Sequence, residues 1–205
     1  MEHSTVISHV HRDDEADKLG MWLFIFSELL LFGVLFLTYS IYRYLHPVAF
    51  GLAAEELDVV VGTINTIILL LSSLTIAMSI TAVQTGRKQH AIAFLGATLF
   101  LSLIFMVNKY FEWSDKISHG LYPGSEHMQG LGQGDTLFFG LYYMLTGVHA
   151  LHMIIGMAII GFVIYEVKRG KINKGDYAFL ENTGLYWHLV DLIWIFLFPL
   201  FYLVT

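Results

Sequence analysis

Long apolar runs separated by short polar stretches dominate the chain, covering about 19–42, 59–83, 91–107, 137–165 and 187–204. Each is long enough to cross a bilayer as a helix, which takes about 17–25 residues. Charge or turn signals close the first four: His46-Pro47, Gly86-Arg87-Lys88, Glu112 with Asp115, and Lys168-Arg169-Gly170. Strands are excluded for such runs because open sheet edges cannot be satisfied in lipid. The pattern therefore predicts an all-α membrane protein, one bundle of five transmembrane helices over residues 19–205 behind a polar segment, 1–18. No internal repeat is visible.

Lys and Arg sort unevenly across the connections. Arg12, Lys18, Arg87, Lys88, Lys168, Arg169, Lys171 and Lys174 share one face, whereas Arg43, Lys109 and Lys116 fall on the other. The positive-inside rule then predicts a cytoplasmic N-terminus and an external C-terminus. In that frame Trp113 and Tyr110 are expected at the outer interface, and Trp22, Tyr186 and Trp187 at the inner one, as aromatic belts. The outer connection 114–136 is the only long polar loop, positioned to cap the bundle or contact a neighbour.

Composition agrees with a membrane bundle: 205 residues, 56% of them hydrophobic. With no cysteine, disulfides, thiolate metal sites and iron–sulfur clusters are out of reach. The net charge of −6 and the lack of a basic block argue against nucleic acid as a partner. Residues 1–18 lack the basic start, apolar run and small-residue cleavage site of a signal peptide, so that segment is expected to be retained in the cytoplasm.

Ionisable groups inside the spans carry the chemistry, since each costs on the order of 3 kcal/mol near the bilayer centre. Glu28 lies roughly 14 Å from the inner edge of the first span and His149 roughly 12 Å from the same edge on the fourth, counting from the apolar limits at about 1.5 Å per residue. Matching depth predicts a buried Glu28–His149 pair. Tyr142, Thr146, His149, Met153 and Gly156 form one helical stripe with His152 at its flank, a close-packing pattern that accounts for Gly147 and Gly156 but not for His149. A haem held by two His needs both rings at one level, and His90 and His188 sit roughly 10 Å from His149 in depth. No haem or metal site is therefore expected, the three-residue His149/His152 spacing leaving copper or zinc as the alternative. His188 and Asp191 fall one turn apart on the last span, as a local pair or as part of a proton-collecting or subunit-contact surface. Asn65, Thr66, Ser72, Ser73 and Thr75 read as interhelical hydrogen-bonding groups.

Four stretches together resemble subunit III of haem-copper terminal oxidases in its shorter, five-helix bacterial form. They are Lys18-Leu-Gly-Met-Trp-Leu-Phe-Ile-Phe-Ser-Glu28; Asn65-Thr66 with Leu71-Ser72-Ser73; the Thr-Gly-x-His-x-x-His stretch within Tyr142 to Gly156; and Tyr186-Trp-His-Leu-Val-Asp191 followed by Trp194-Ile-Phe-Leu-Phe198. The resemblance implies an auxiliary subunit without a catalytic centre or a bound redox group. Haem and copper would belong to partner subunits I and II, and this chain would bind phospholipid and support proton uptake and lasting turnover in a bacterial cytoplasmic membrane. Larger members carry two more N-terminal helices with a lipid cleft against them; this chain lacks those helices. The alternatives are the third subunit of a quinol oxidase or nitric oxide reductase complex, or a free-standing transporter, which would show broken helices or inverted repeats that this sequence lacks.

Overall fold

The computed structural model describes residues 14–130 and 132–203, so most of the predicted polar segment 1–18 lies outside the described residues. Seven helices follow one another: α1 Asp14–Leu45, α2 Pro47–Glu55, α3 Val59–Gln84, α4 Lys88–Ser118, α5 Glu126–Gly130, α6 Gln133–Arg169 and α7 Ala178–Tyr202. Five of them, α1, α3, α4, α6 and α7, are long and apolar enough to cross a membrane, and no strand forms among the described residues. The bundle thus has one face with the start of α1, the α3–α4 turn and the α6–α7 loop, here the N-side. The opposite face, the C-side, carries α2, α5 and the end of α7.

Local chemistry sets the helix ends. Pro47 opens α2, where its missing N–H costs nothing. Asp58 caps α3, its Oδ1 accepting from the Val60 and Val61 amides at 2.8 and 3.2 Å. Gly170 closes α6 with φ +79°, a conformation that glycine adopts without strain. The helices overrun the apolar runs, most clearly α4, which continues eleven residues past Val107 to Ser118. The 114–136 connection is accordingly shorter than its polar character suggests, and it folds onto the bundle, with Met128 of α5 fully buried.

Packing follows a three-four repeat of buried positions. On α4 these are Ala91, Leu95, Thr98, Ser102, Phe105, Lys109 and Glu112. On α3 they include Gly62, Asn65, Leu69, Ser72, Ile76, Ser79 and Val83. This spacing keeps one seam facing the partner, and the small side chains let backbones approach closely. Helix α7 is the centre of the bundle, packed against α1, α3 and α6, while α4 lies on α3 and α6. Helix α1 is peripheral: only 6% of its apolar window is buried, against 56% for α7.

The polar groups of α3 tie it to its neighbours. Trp194 Nε1 donates to Thr66 Oγ1 at 3.1 Å and Trp187 Nε1 to Ser72 Oγ at 3.1 Å. Asn108 Nδ2 donates to Asn65 Oδ1 at 2.8 Å, and Thr75 bonds Thr98 across the α3–α4 seam at 2.8 Å. The aromatic-belt expectation needs correction for Trp187 and Tyr186, which are buried at 0% and 6% exposure. Ser72 satisfies the indole and the His152 carbonyl accepts from the Tyr186 hydroxyl at 3.0 Å, so neither ring needs the interface. Trp22 and Tyr110 do face outward, at 61% and 70% exposure.

Candidate functional site

Helices α1, α6 and α7 leave a groove of about 530 Å³ toward the N-side, walled by Met21, Phe24, Ile155, Ile159 and Phe179, with Glu28 and His152 in its lining. These two are bonded directly: His152 Nε2 lies 3.0 Å from Glu28 Oε2, and their side chains are 13% and 16% exposed. Proton bookkeeping defines the pair. The His152 Nδ1 faces the Val148 carbonyl at 2.8 Å, which can only accept, so Nδ1 carries a hydrogen. Nε2 then either accepts from a protonated Glu28 or, itself protonated, donates to a carboxylate. In both forms the contact holds one proton and is neutral overall. A carboxyl and an imidazole in direct contact at the wall of a groove are the side-chain types through which protons are passed.

The expected Glu28–His149 pair is therefore corrected to Glu28–His152. The apolar limits were the wrong reference planes. Counted from the N-side ends of the helices, Glu28 is 14 residues into α1, His152 17 and His149 20 residues into α6. Three residues also turn the side chain by about 60° around the helix. His149 points instead into the α4–α7 core, its ring 5.7 Å from Phe105 and 5.3 Å from Trp194, and both of its nitrogens lack a hydrogen-bond partner among the described residues. Thr146, one turn before it, bonds its hydroxyl to the Tyr142 carbonyl at 2.6 Å.

The local His188–Asp191 pair does not form either. His188 Nδ1 bonds Ser73 Oγ at 2.6 Å, linking α7 to α3, and the buried Asp191 carboxyl has no hydrogen-bond partner among the described residues. Ser73 stands beside both side chains on the α3–α7 seam, bonded to the imidazole and neighbouring the Asp191 carboxyl.

A second polar centre went unrecognised in the sequence. Lys109 Nζ donates to Glu112 Oε1 at 3.0 Å, Tyr202 Oη at 2.9 Å and Tyr142 Oη at 3.1 Å, using all three of its hydrogens. Both phenols also donate to Glu112 Oε1. The ammonium lies 5.0 Å from the Tyr142 ring centroid and 5.3 Å from that of Trp194, and both members of the ion pair have side chains 5% exposed. Three helices, α4, α6 and α7, are thereby locked at one point near the C-side. Its signal was legible, since Lys109 and Glu112 continue the three-four repeat of α4, but charge alone assigned them to a loop.

Among the described residues, no three of His, Asp and Glu converge as a metal-binding group. His149 and His152 diverge on one helix, and His152 already uses both nitrogens.

Comparison with known proteins decides the affiliation. Residues 1–205 match the family described as cytochrome c oxidase subunit III. The chain belongs to that family. It is 30% identical over 97% of its length to a cytochrome c oxidase subunit 3 of Thermostichus vulcanus, covering 92% of that protein. A probable quinol oxidase subunit 3 of Staphylococcus haemolyticus is 28% identical over 98% of the chain and 94% of its own length. A haem-copper oxidase subunit I+III of Aeropyrum pernix is 34% identical over 92% of the chain, which spans only 23% of that longer protein. As a subunit III, the chain is a multi-pass membrane component of a haem-copper oxidase.

Proposed function

We propose that this subunit III is the non-redox, supporting component of a bacterial respiratory oxidase, with haem and copper in partner subunits I and II and none in this chain. The observation that carries the reading is the near-full-length likeness to third subunits named for two different donors, cytochrome c and quinol. One fold serving both donors fits a role away from donor chemistry. The divergence of His149 and His152 supports the lack of a redox site here. The fused I+III relative supports subunit I as the neighbour. The Glu28–His152 unit supports a part in proton uptake, and the apolar groove around it supports contact with phospholipid. The N-terminus lies in the cytoplasm of a cell whose inner membrane holds the complex. Lys109 is buried, so among the described residues the external connections keep only Arg43 and Lys116 against seven cations on the N-side.

The test is the complex purified without this chain. It reduces oxygen at first with its cofactor spectrum intact, then takes up protons more slowly and inactivates over repeated turnovers. The isolated chain shows no Soret band. Loss of the first turnover with cofactors intact, or a stoichiometric Soret band from the chain alone, overturns the proposal. A quinol-using assembly is the second reading, favoured by the Staphylococcus relatives, and assay of the purified complex with each donor separates the two.

A further inference from the structure

A second membrane-facing groove lies away from Glu28, where the last turns of α3 meet the first turns of α4 on the N-side. It encloses about 460 Å³. Its lining is mainly apolar, with Ala77, Met78, Ala82 and Phe94 interrupted by two threonines, and Arg87 and His90, both exposed, form its polar end. No Asp or Glu lines it, and neither Arg87 nor His90 has an acidic partner among the described residues. The nearby cations behave differently. Lys171 pairs with Glu166 at 3.1 Å, Arg169 lies 4.0 Å from the same carboxyl, and Lys88 donates to the Lys168 carbonyl at 2.7 Å.

Arg87 therefore presents a guanidinium without an acidic partner among the described residues, at headgroup level beside a mainly apolar trough that runs into the membrane. A guanidinium presents paired N–H groups that match two oxygens of one phosphate, and a His ring N–H can bond a third. An aqueous anion would leave the trough unused, a lipid without phosphate would leave Arg87 unmatched, and a zwitterionic phospholipid would bring an ammonium for which no Asp or Glu lines the groove. Further cations around the α3–α4 turn and the α6–α7 loop, Lys168 and Lys174 among them, add a field of the same sign.

We propose that this groove is a specific site for one anionic phospholipid, its phosphate held by Arg87 and His90 and an acyl chain laid against Met78 and Phe94. It is separate from the Glu28 groove and does not depend on how that groove serves the oxidase.

The test uses the whole detergent-solubilised complex, with lipid retention counted by native mass spectrometry after titration with phosphatidylglycerol or phosphatidylcholine. Wild type retains one phosphatidylglycerol per copy of this subunit at concentrations where phosphatidylcholine is lost. Arg87→Ala with His90→Ala weakens that retention about tenfold or more, Arg87→Lys only in part, and Arg169→Ala leaves it unchanged. Ala77→Trp fills the trough without altering charge and abolishes the retained lipid. Equal retention of the two lipids, or unchanged retention in the Arg87→Ala/His90→Ala variant, overturns the site. So does a loss caused by the charge variants but not by Ala77→Trp, which would mark a diffuse basic surface.

Discussion

Glu28 shows how a single buried carboxyl is made tolerable. It shares one proton with His152, so the contact adds no net charge to the groove, and removing either member strands the other. Interhelical polar contacts in membranes are worth about 0.6 kcal/mol on average and at most about 1.7 kcal/mol by double-mutant cycles, and the pair is expected within that limit. Glu28→Gln retains a hydrogen-bonding partner and is mild, whereas Glu28→Ala and His152→Ala each lower the melting temperature of the complex and together cost less than their sum. His149→Ala combined with Glu28→Ala is additive, because His149 faces Phe105 and Trp194 instead. Strict additivity for Glu28 with His152 would refute the pairing. The sequence revealed that Glu28 needs a partner on α6; which imidazole supplies it depends on where the helices end, and polar overhangs such as 14–18 and 166–169 are invisible to an apolar-run reading.

At the level of elements, hydrophobic patterning located all five spans, because about 20 apolar residues have few alternatives in lipid. It understated α4, whose buried face continues through Lys109 and Glu112 after the apolar run stops. A charge reads as a boundary unless the three-four spacing is followed through it. The same spacing explains the small residues of α6. A Cβ on Gly156 would meet Trp187 Cζ3 at 2.8 Å and Cε3 at 2.9 Å, both in a fully buried ring with no room to retreat. Gly161, on the same helix, has nothing within 4 Å of its Cβ position. Gly156→Val is expected to destabilise the α6–α7 contact by about 1–3 kcal/mol through overpacking. Gly161→Ala is neutral or stabilising by up to about 1 kcal/mol through helix propensity. Thermal unfolding of the purified complex distinguishes them, and equal effects would mean that α6 and α7 are not in register at Trp187.

Across the whole molecule, burial is graded from the central α7 to the peripheral α1. Among the described residues, two polar ties fasten α1 at different levels of the bundle: Glu28 to His152 at mid-span in the N-side groove, and the Tyr39 hydroxyl to the Leu200 carbonyl near the C-side. That carbonyl belongs to the last turn of α7, where helical carbonyls run out of intrahelical amide partners. Helix α7 is fixed instead by Trp187 and Trp194 to α3 and by Tyr202 to the Lys109 centre. Stability is therefore expected to be uneven, with α1 parting from the bundle before α7 loses its core. The absence of cysteine makes this measurable, since any thiol introduced is unique. Ile25 on α1 and Ile193 on α7 are both buried, at 8% and 3% exposure, so Ile→Cys at each is a matched change. In the isolated chain, titration from mild detergent into dodecyl sulfate should expose Ile25→Cys to a maleimide at a lower sulfate fraction than Ile193→Cys. Adding Glu28→Ala should move only the first transition lower. Coincident labelling of both thiols would instead make the five helices a single cooperative unit, with the two ties to α1 as strong as the central packing of α7.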